Sequence, residues 1–307
     1  QSSVVVLYAS ILLQIHQILY LVQQVIYFGI KDKSLGNKTL AYASDTIICP
    51  KCFEPLNYQV SFVSHLGIYK CPKCGFIQPK TVISCVQATF IKGNYTQMTI
   101  NYLFHQYHLK INLLGVYNIY NVLAAFSGAA AMKIKPQKTA YSCQYFQPAF
   151  GRLEKISFKE KTLRILLVKN PTSFNQALKT LAILAKNKPF SCLIGLNDLI
   201  ADGRDVSWIW DIDFEYLNKL KVDKIIVSGK RAEDMALRIK YSDLQISAPK
   251  DGQTIFKFKI EKSSKKAISA LINQSNKHLF ILATYTAMLK IRKILTKMKI
   301  VQSTWKD

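Results

Sequence analysis

Hydrophobic and polar positions follow two different rhythms along this chain, and the change falls near residue 150. Beyond it, residues 163–168, 192–196, 224–228 and 279–283 are short, mostly apolar runs of strand length, the first interrupted by Arg164. Helical patterns lie between them. Phe174, Ala177, Leu178, Leu181 and Leu184 share one face of a helix that Thr172 or Ser173 can cap. Residues 231–240, 267–273 and 285–298 also read as helices. Strands alternating with helices predict crossover connections and a mostly parallel sheet. Ligands of such sheets bind at the carboxyl ends of the strands. That directs attention to Lys169-Asn170, Asn197-Asp198 and Ser228-Gly229.

Before residue 150 the pattern is mixed. Residues 4–7 read as a buried strand, 11–24 as a mostly apolar helix and 25–30 as another strand, a βαβ unit. Residues 1–30 carry no Lys, Arg, Asp or Glu, which raises the question of a signal peptide or a membrane span. A signal peptide needs a basic region ahead of its apolar stretch, and none is present. A span needs about 20 mostly apolar residues, and Gln14, His16, Gln17, Gln23 and Gln24 interrupt this stretch. The buried unit fits better. Opening at residue 4 with no start methionine, it reads as the inside of a larger domain, and the chain as a fragment. Residues 31–48 are polar and turn-like, 82–112 alternate as antiparallel strands do, and 116–132 read as a helix. Residues 133–147, with Pro136 inside and Pro148 beyond, read as a linker.

Composition sharpens this outline. The 307 residues suit about two domains, and 50% hydrophobic residues exclude a wholly disordered chain. Lys+Arg number 42 against 18 Asp+Glu, a formal charge of +24. That surplus predicts an anionic partner: nucleic acid, phosphate esters or a negatively charged membrane face. A coding bias toward Lys, Asn and Ile accounts for it equally well. Seven cysteines are too few for a disulfide-dense scaffold.

Four of those cysteines give the strongest local signal. Cys49-Pro-Lys-Cys52 is followed, eighteen residues on, by Cys71-Pro-Lys-Cys74-Gly75. Paired knuckles at this spacing set four thiolates around one tetrahedral ion, and Zn²⁺ prefers that closed sulfur shell. A closed shell leaves no position for water, so the site is expected to be structural. Two redox pairs are the alternative, but such motifs do not come as matched doublets. His65 lies between the knuckles and reads as a packing residue, as do Cys85, Cys143 and Cys192.

The second signal is acidic. Asp198, Asp202, Asp205, Asp211, Asp213 and Glu215 put six of the eighteen carboxylates into eighteen residues. In so basic a chain this is a poor match to a random solvated face. Asp202-Gly203 reads as a turn and Asp213 as the cap of a helix over 214–220. Asp198 differs, because it stands where a parallel strand ends. Arg204, Trp208 and Trp210 complete a loop suited to a ligand or partner. Neither a G-x-x-x-x-G-K-[ST] loop nor a G-x-G-x-x-G turn occurs; Gly36-Asn37-Lys38-Thr39 reads as a plain turn. Asn118 and Asn121 fall on one helix face.

These motifs combine into a resemblance. Gly115-Val-Tyr-Asn118-Ile-Tyr-Asn121-Val-Leu-Ala-Ala resembles the helix closing the central domain of Mur ligases, and Gly151-Arg152-Leu-Glu154 the start of their C-terminal domain. The four-cysteine ribbon is similar to the insertion of the MurT-like subunits in that family. So are Leu167-Val-Lys169-Asn170-Pro171-Thr-Ser-Phe-Asn175-Gln, the stretch from Leu196-Asn-Asp198 to Trp208-Ile-Trp-Asp211, and Thr284-Tyr-Thr-Ala-Met. The resemblance runs from about residue 25 to about 299. It implies an α/β fold: the C-terminal part of a Mur-ligase-like central domain over 1–148, with a four-cysteine zinc ribbon at about 45–80, then a Rossmann-like α/β C-terminal domain over 149–307.

The family also implies a reaction. MurT-like subunits pair with a GatD-like glutaminase and amidate the D-glutamate α-carboxylate of the lipid II stem peptide, at the cytoplasmic face of the bacterial membrane. ATP and Mg²⁺ convert the carboxylate to an acyl phosphate, which ammonia from glutamine attacks. By resemblance, Asn118 and Asn121 hold the adenine end of ATP and Arg152 its ribose or phosphates, while Lys169 and Asn170 face the nucleotide from the other domain. Asp198, Asp202 and Asp205 are the candidates to orient the histidine of the partner's Cys-His pair, Asp198 or Asp202 foremost. The family's phosphate loop and the Mg²⁺ ligands before it lie N-terminal to anything in this sequence. Residues 4–12, where the family has an acidic turn, hold no acid. The chain alone is therefore expected not to turn over ATP. Two rivals are a zinc-ribbon nucleic-acid-binding protein, which accounts for charge and ribbon but not the acidic loop, and a scaffold that kept only the docking domain. The ligase reading expects no nucleic acid and no transmembrane segment.

Overall fold

A computed structural model of the chain describes residues 4–8, 24–38, 40, 47–91, 93–146, 152–242 and 258–301. The chain divides into two compact units, Gln1–Gln147 and Pro148–Asp307.

In the first unit β1 (Val4–Tyr8), β2 (Gln24–Ile30), β5 (Ile83–Ile91), β6 (Tyr95–Tyr102) and β7 (His105–Ile111) form one sheet in the order β1-β2-β5-β6-β7. β1, β2 and β5 run parallel, and β5, β6 and β7 antiparallel. Parallel pairing of β1 with β2 requires a crossover; the helix expected over 11–24 falls almost wholly outside the described residues. Among the described residues no helix is long and apolar enough to cross a membrane. Helix α1 (Val116–Ala131) covers the sheet, burying Ile119, Leu123 and Phe126 in a core shared with Phe28, Ile83, Ile100 and Ile111. Truncating one such side chain to Ala costs about 2–5 kcal/mol.

The stretch 133–147, expected as a linker, instead contains helix α2 (Pro136–Tyr145). Pro136 does not break it, because it occupies the first turn, where its missing N–H is not needed. α2 buries Thr139 and Ala140 and packs on α1 and β7, and Gln144 Oε1 accepts from the Lys110 amide at 3.3 Å. A hairpin of β3 (Asn57–Val63) and β4 (Leu66–Lys70) leaves this unit. One end is anchored in the main core by Val60, Phe62 and Val63. The other closes on a small cluster of Leu56, Tyr69, Tyr58, Phe76, Cys49, Cys52 and Cys71.

The second unit is a six-stranded sheet among the described residues. Its strands are β8 (Arg152–Phe158), β9 (Lys161–Leu167), β10 (Phe190–Gly195), β11 (Val222–Ser228), β12 (Phe258–Ile260) and β13 (His278–Ala283), in the order β12-β11-β10-β13-β9-β8. β9 to β13 are mutually parallel; β8 pairs antiparallel with β9 as an edge strand. β10 is buried along its whole length, as a strand covered on both faces must be. Helices α3 (Pro171–Ala185), α4 (Ala232–Lys240), α5 (Ser264–Ile272) and α6 (Tyr285–Lys297) follow β9, β11, β12 and β13. Glu154 on β8 meets the buried Arg292 of α6 through two contacts of 3.2 and 3.3 Å, which ties the edge strand to the last helix. From β10 the chain steps outward to β11 and β12, then returns to insert β13 between β10 and β9. The strand order therefore reverses at the β10–β13 boundary, the switch point where doubly wound folds hold ligands.

Two caps differ from the sequence reading. Asn170, not Thr172 or Ser173, caps α3: its Oδ1 accepts from the Ser173 amide at 2.8 Å, and Ser173 Oγ accepts from the Asn170 and Lys169 amides. Pro171 forces Asn170 into the extended conformation that a cap requires. Asp213 precedes a short 3₁₀ helix (Phe214–Lys219) without a side-chain cap bond, and its amide is instead held by Asn175.

Candidate functional site

At the tips of β10 and β13 the sequence builds one continuous polar network. The Thr284 amide donates to the Gly195 carbonyl, and Thr284 Oγ1 accepts from the Asn197 amide at 3.1 Å. Asn197 Nδ2 donates to Thr286 Oγ1 at 2.9 Å, and Asn197 Oδ1 accepts from the Lys230 amide at 3.0 Å. The Thr286 hydroxyl in turn donates to one Asp202 oxygen, and the other accepts from the Thr286 amide at 2.8 Å. Asp202 is thus a cap for α6 supplied from 84 residues away, at the positive end of the helix dipole. Replacing Thr286 by Val keeps the shape but strands Asn197 and Asp202, and chemical denaturation is expected to read a loss of about 1–3 kcal/mol.

Asp198 stands beside this chain of bonds. It lies 3.3 Å from Arg231 and 3.7 Å from Lys230, and Arg231 also grips Asp234 with two bonds, at 2.7 and 3.1 Å. Hydrogen bonding to Asp234 and then Asp198 raises the Arg231 pKa, and the same guanidinium holds Asp234 below its ordinary range. Gly229 lets these residues approach. Its φ is +107°, and a Cβ there would sit 2.2 Å from the Leu196 carbonyl oxygen. Gly229→Ala is therefore expected to cost about 2–4 kcal/mol in an unfolding titration.

The acidic loop divides by role. Asp205 is exposed, and both its oxygens accept from Ser207, whose amide and then hydroxyl hold the carboxyl below its usual range. The loop is clamped from two helices. Asn175 of α3 binds the Asp211 carbonyl and the Asp213 amide. Arg238 of α4, itself buried, donates to the Ile212 carbonyl and lies over the Trp210 and Phe214 rings. Leu199, Ile200, Trp210 and Tyr285 remain exposed around the tip. Sequence reasoning named Asp198 and Asp202 but missed Thr286 and Arg238. Thr286 lay inside a quoted motif with no signal of its partner, and a buried Arg on a helix is indistinguishable from a solvated one in a single sequence.

Of the other nucleotide candidates, Lys169 and Asn170 lie at the β9 tip, with Asn170 engaged in its cap. Arg152 opens β8 and is described by its backbone alone. In the first unit Asn118 is buried, donates to the Leu114 carbonyl at 2.7 Å and accepts from Asn121 at 3.1 Å. The exposed Asn121 is the member of the pair available to a ligand.

The four cysteines converge. Their sulfurs all lie within 4.8 Å of one another, with Cys49–Cys74 and Cys52–Cys71 at 3.5 Å. Tetrahedral bonds of about 2.3 Å set sulfurs about 3.8 Å apart, so the donor set fits one zinc ion. Burial resists ionisation of Cys71, yet the amides of Cys74 and Lys73 and the neighbouring thiols bring it down to about 6. Around Cys52 the Glu54 amide favours the thiolate, but burial and the other three sulfurs outweigh it and push the thiol to about 12. His65 is outside the cluster.

Solved structures identify the fold. A pseudomurein peptide ligase type C from Methanothermus fervidus superimposes with a TM-score of 0.67, at 21% identity, over 95% of this chain and 56% of that one. The MurF ligase of Thermotoga maritima in complex with ADP gives 0.57 at 11% identity, over 96% and 53%. The fold is that of the Mur ligases. Within that class, residues 167–288 match the MurT ligase C-terminal family. The MurT subunit of the glutamine-hydrolyzing lipid II isoglutaminyl synthase of Streptococcus pneumoniae (strain ATCC BAA-255 / R6) is 32% identical over 277 residues, 90% of this chain. The chain thus carries a MurT-type C-terminal domain, and it spans 58% of that relative's length.

Proposed function

We propose that the chain is the ligase subunit of a glutamine-dependent lipid II isoglutaminyl synthase, acting with a GatD-like glutaminase at the cytoplasmic membrane face. Its substrate is the D-glutamate α-carboxylate of the stem peptide, and its product the α-carboxamide. The observation that carries the reading is the polar tip at the β10–β13 switch point, built from residues inside the stretch that matches the MurT C-terminal family.

ATP with Mg²⁺ would supply the phosphoryl group that makes the carboxylate an electrophile, as the ADP complex of the Thermotoga neighbour suggests for its own class. In this chain Asn121, braced by Asn118, would contact the base, and Lys169 and Arg152 would bring positive charge to the phosphates. Asn170 would order the turn that carries Lys169. Asp198 or Asp202 would accept a hydrogen bond from Nδ1–H of the partner's histidine and keep its other nitrogen facing the partner's thiol. Asp205 and Asp202 each have both oxygens engaged within the chain, by Ser207 and by Thr286, so Asp198, whose Oδ1 takes no hydrogen bond among the described residues, would be the freest acceptor of the three. The exposed Leu199, Ile200 and Trp210 would pack against the partner. One zinc on Cys49, Cys52, Cys71 and Cys74 would hold the ribbon and take no part in the chemistry.

The test uses a version of the chain extended to its relatives' full length, with its glutaminase partner, lipid II, ATP and amide-¹⁵N glutamine. The label is expected in the α-carboxamide of the stem peptide. Label appearing only as free ammonia, with the stem unchanged, would overturn the reading.

A further inference from the structure

The two cysteine knuckles are near copies, Cys49-Pro-Lys51-Cys52 and Cys71-Pro-Lys73-Cys74. In both, the residue after the second cysteine turns left-handed, with φ of 59° at Phe53 and 72° at Gly75. Glycine adopts that conformation without strain, whereas a residue with a Cβ is penalised, and a bulky aromatic has no local reason to be there. Nor does burial compensate: Phe53 is 79% exposed. The ring serves neither the turn nor the core, which points to a use outside the chain.

Its surroundings say what kind. Ile48 and Ile77 are 47% and 57% exposed, and each bridges the strand partner directly behind its knuckle, Pro55 and Lys70. Ile47 is exposed beside them. Between residues 47 and 80 the charged side chains are Lys51, Lys70, Lys73 and Lys80, all exposed, against Glu54, which lies 3.7 Å from Lys73. We propose that the cysteine end of the ribbon docks on an anionic lipid bilayer, with Phe53 entering the acyl boundary and the lysines meeting headgroup phosphates. Aliphatic and aromatic side chains flanked by ammonium groups are what that boundary accommodates. A nucleic acid would engage the lysines and stack on Phe53 but leave the three isoleucines in water. The inference goes beyond the ligase reading and stands or falls separately from it.

The experiment is co-sedimentation of the zinc-loaded chain with vesicles of phosphatidylcholine, alone or mixed with phosphatidylglycerol. The chain is expected to pellet with the mixed vesicles and not the neutral ones, less so as salt rises. Phe53→Gly gives this knuckle the residue its twin already has, so zinc content and thermal midpoint are expected to hold. Vesicle affinity is expected to fall about tenfold or more. Ile77→Ser, away from the strained turn, should lower it in the same direction. Equal pelleting with both vesicle types overturns the proposal, as does undiminished binding by Phe53→Gly. So does lipid-free self-association, or binding to duplex DNA in preference to vesicles, that Phe53→Gly abolishes. Amidation of detergent-dispersed lipid II by the extended protein reads the ligase function independently and is expected to be untouched by Phe53→Gly.

Discussion

Stripping zinc with a chelator is expected to unfold the cysteine end of the ribbon and leave the sheets of both units folded. The reason lies in how the hairpin is anchored. Val60, Phe62 and Val63 root one end in the main core of the first unit, whose packing does not involve the metal. Among the described residues the cysteine end has only Leu56, Tyr58, Tyr69 and Phe76 to bury, with bonds such as Cys49 N–H to Glu54 and Cys71 N–H to Phe76, each 2.7 Å. Structural zinc contributes on the order of 10 kcal/mol or more to such a site, beyond what four side chains offset. Hydrogen exchange should therefore lose protection over residues 47–77 on chelation, while β5, β6, β10 and β13 keep theirs. Cys71→Ser is expected to do the same permanently. Protons compete with the ion for thiolates, so zinc should be released as pH falls and retained as it rises. A folded, exchange-protected ribbon with no zinc by elemental analysis would contradict this.

The second large effect concerns the tip of the other unit. Asp198→Asn together with Asp202→Asn, made in the extended protein, is expected to lower glutamine-fed amidation on the order of a thousandfold. Amidation fed by ammonium salts should fall only severalfold. The two aspartates differ in what else they do, so single variants separate them. Asp202 caps α6 through Thr286, and its loss also lowers stability. Asp198 is balanced by Arg231 and Lys230, so its loss acts mainly on charge. Both substitutions leave the proposed phosphate contacts intact, which is why ammonia-fed turnover is the control that a merely misfolded tip would fail.

Much of this architecture was legible in the chain because strands buried on both faces read as apolar runs. β10 and β13 announce themselves that way, and the rule that ligands sit at strand carboxyl ends marks Asn197-Asp198 as one of three places; the strand order that singles it out comes from the structure. What stayed hidden has a common cause. α2 buries only Thr139 and Ala140, too small to print a helical period, and its Pro136 reads as a breaker unless its place in the first turn is known. Among its described side chains β8, an edge strand, fully buries only Ile156 and looks like polar loop. Cys49–Cys74 were readable from spacing, because a metal shell fixes its ligands locally. The Asp202–Thr286 and Glu154–Arg292 links join residues 84 and 138 apart. A tertiary pairing of that kind leaves no periodic trace in one sequence.

The central claim is that the β10–β13 tip serves a partner that delivers ammonia. The most direct measurement compares amidation by the Asp198→Asn, Asp202→Asn protein with glutamine and with ammonium as nitrogen source, in the presence of the glutaminase. Selective collapse of the glutamine-fed rate is the predicted result. Equal loss with both sources, or no loss with either, would contradict it.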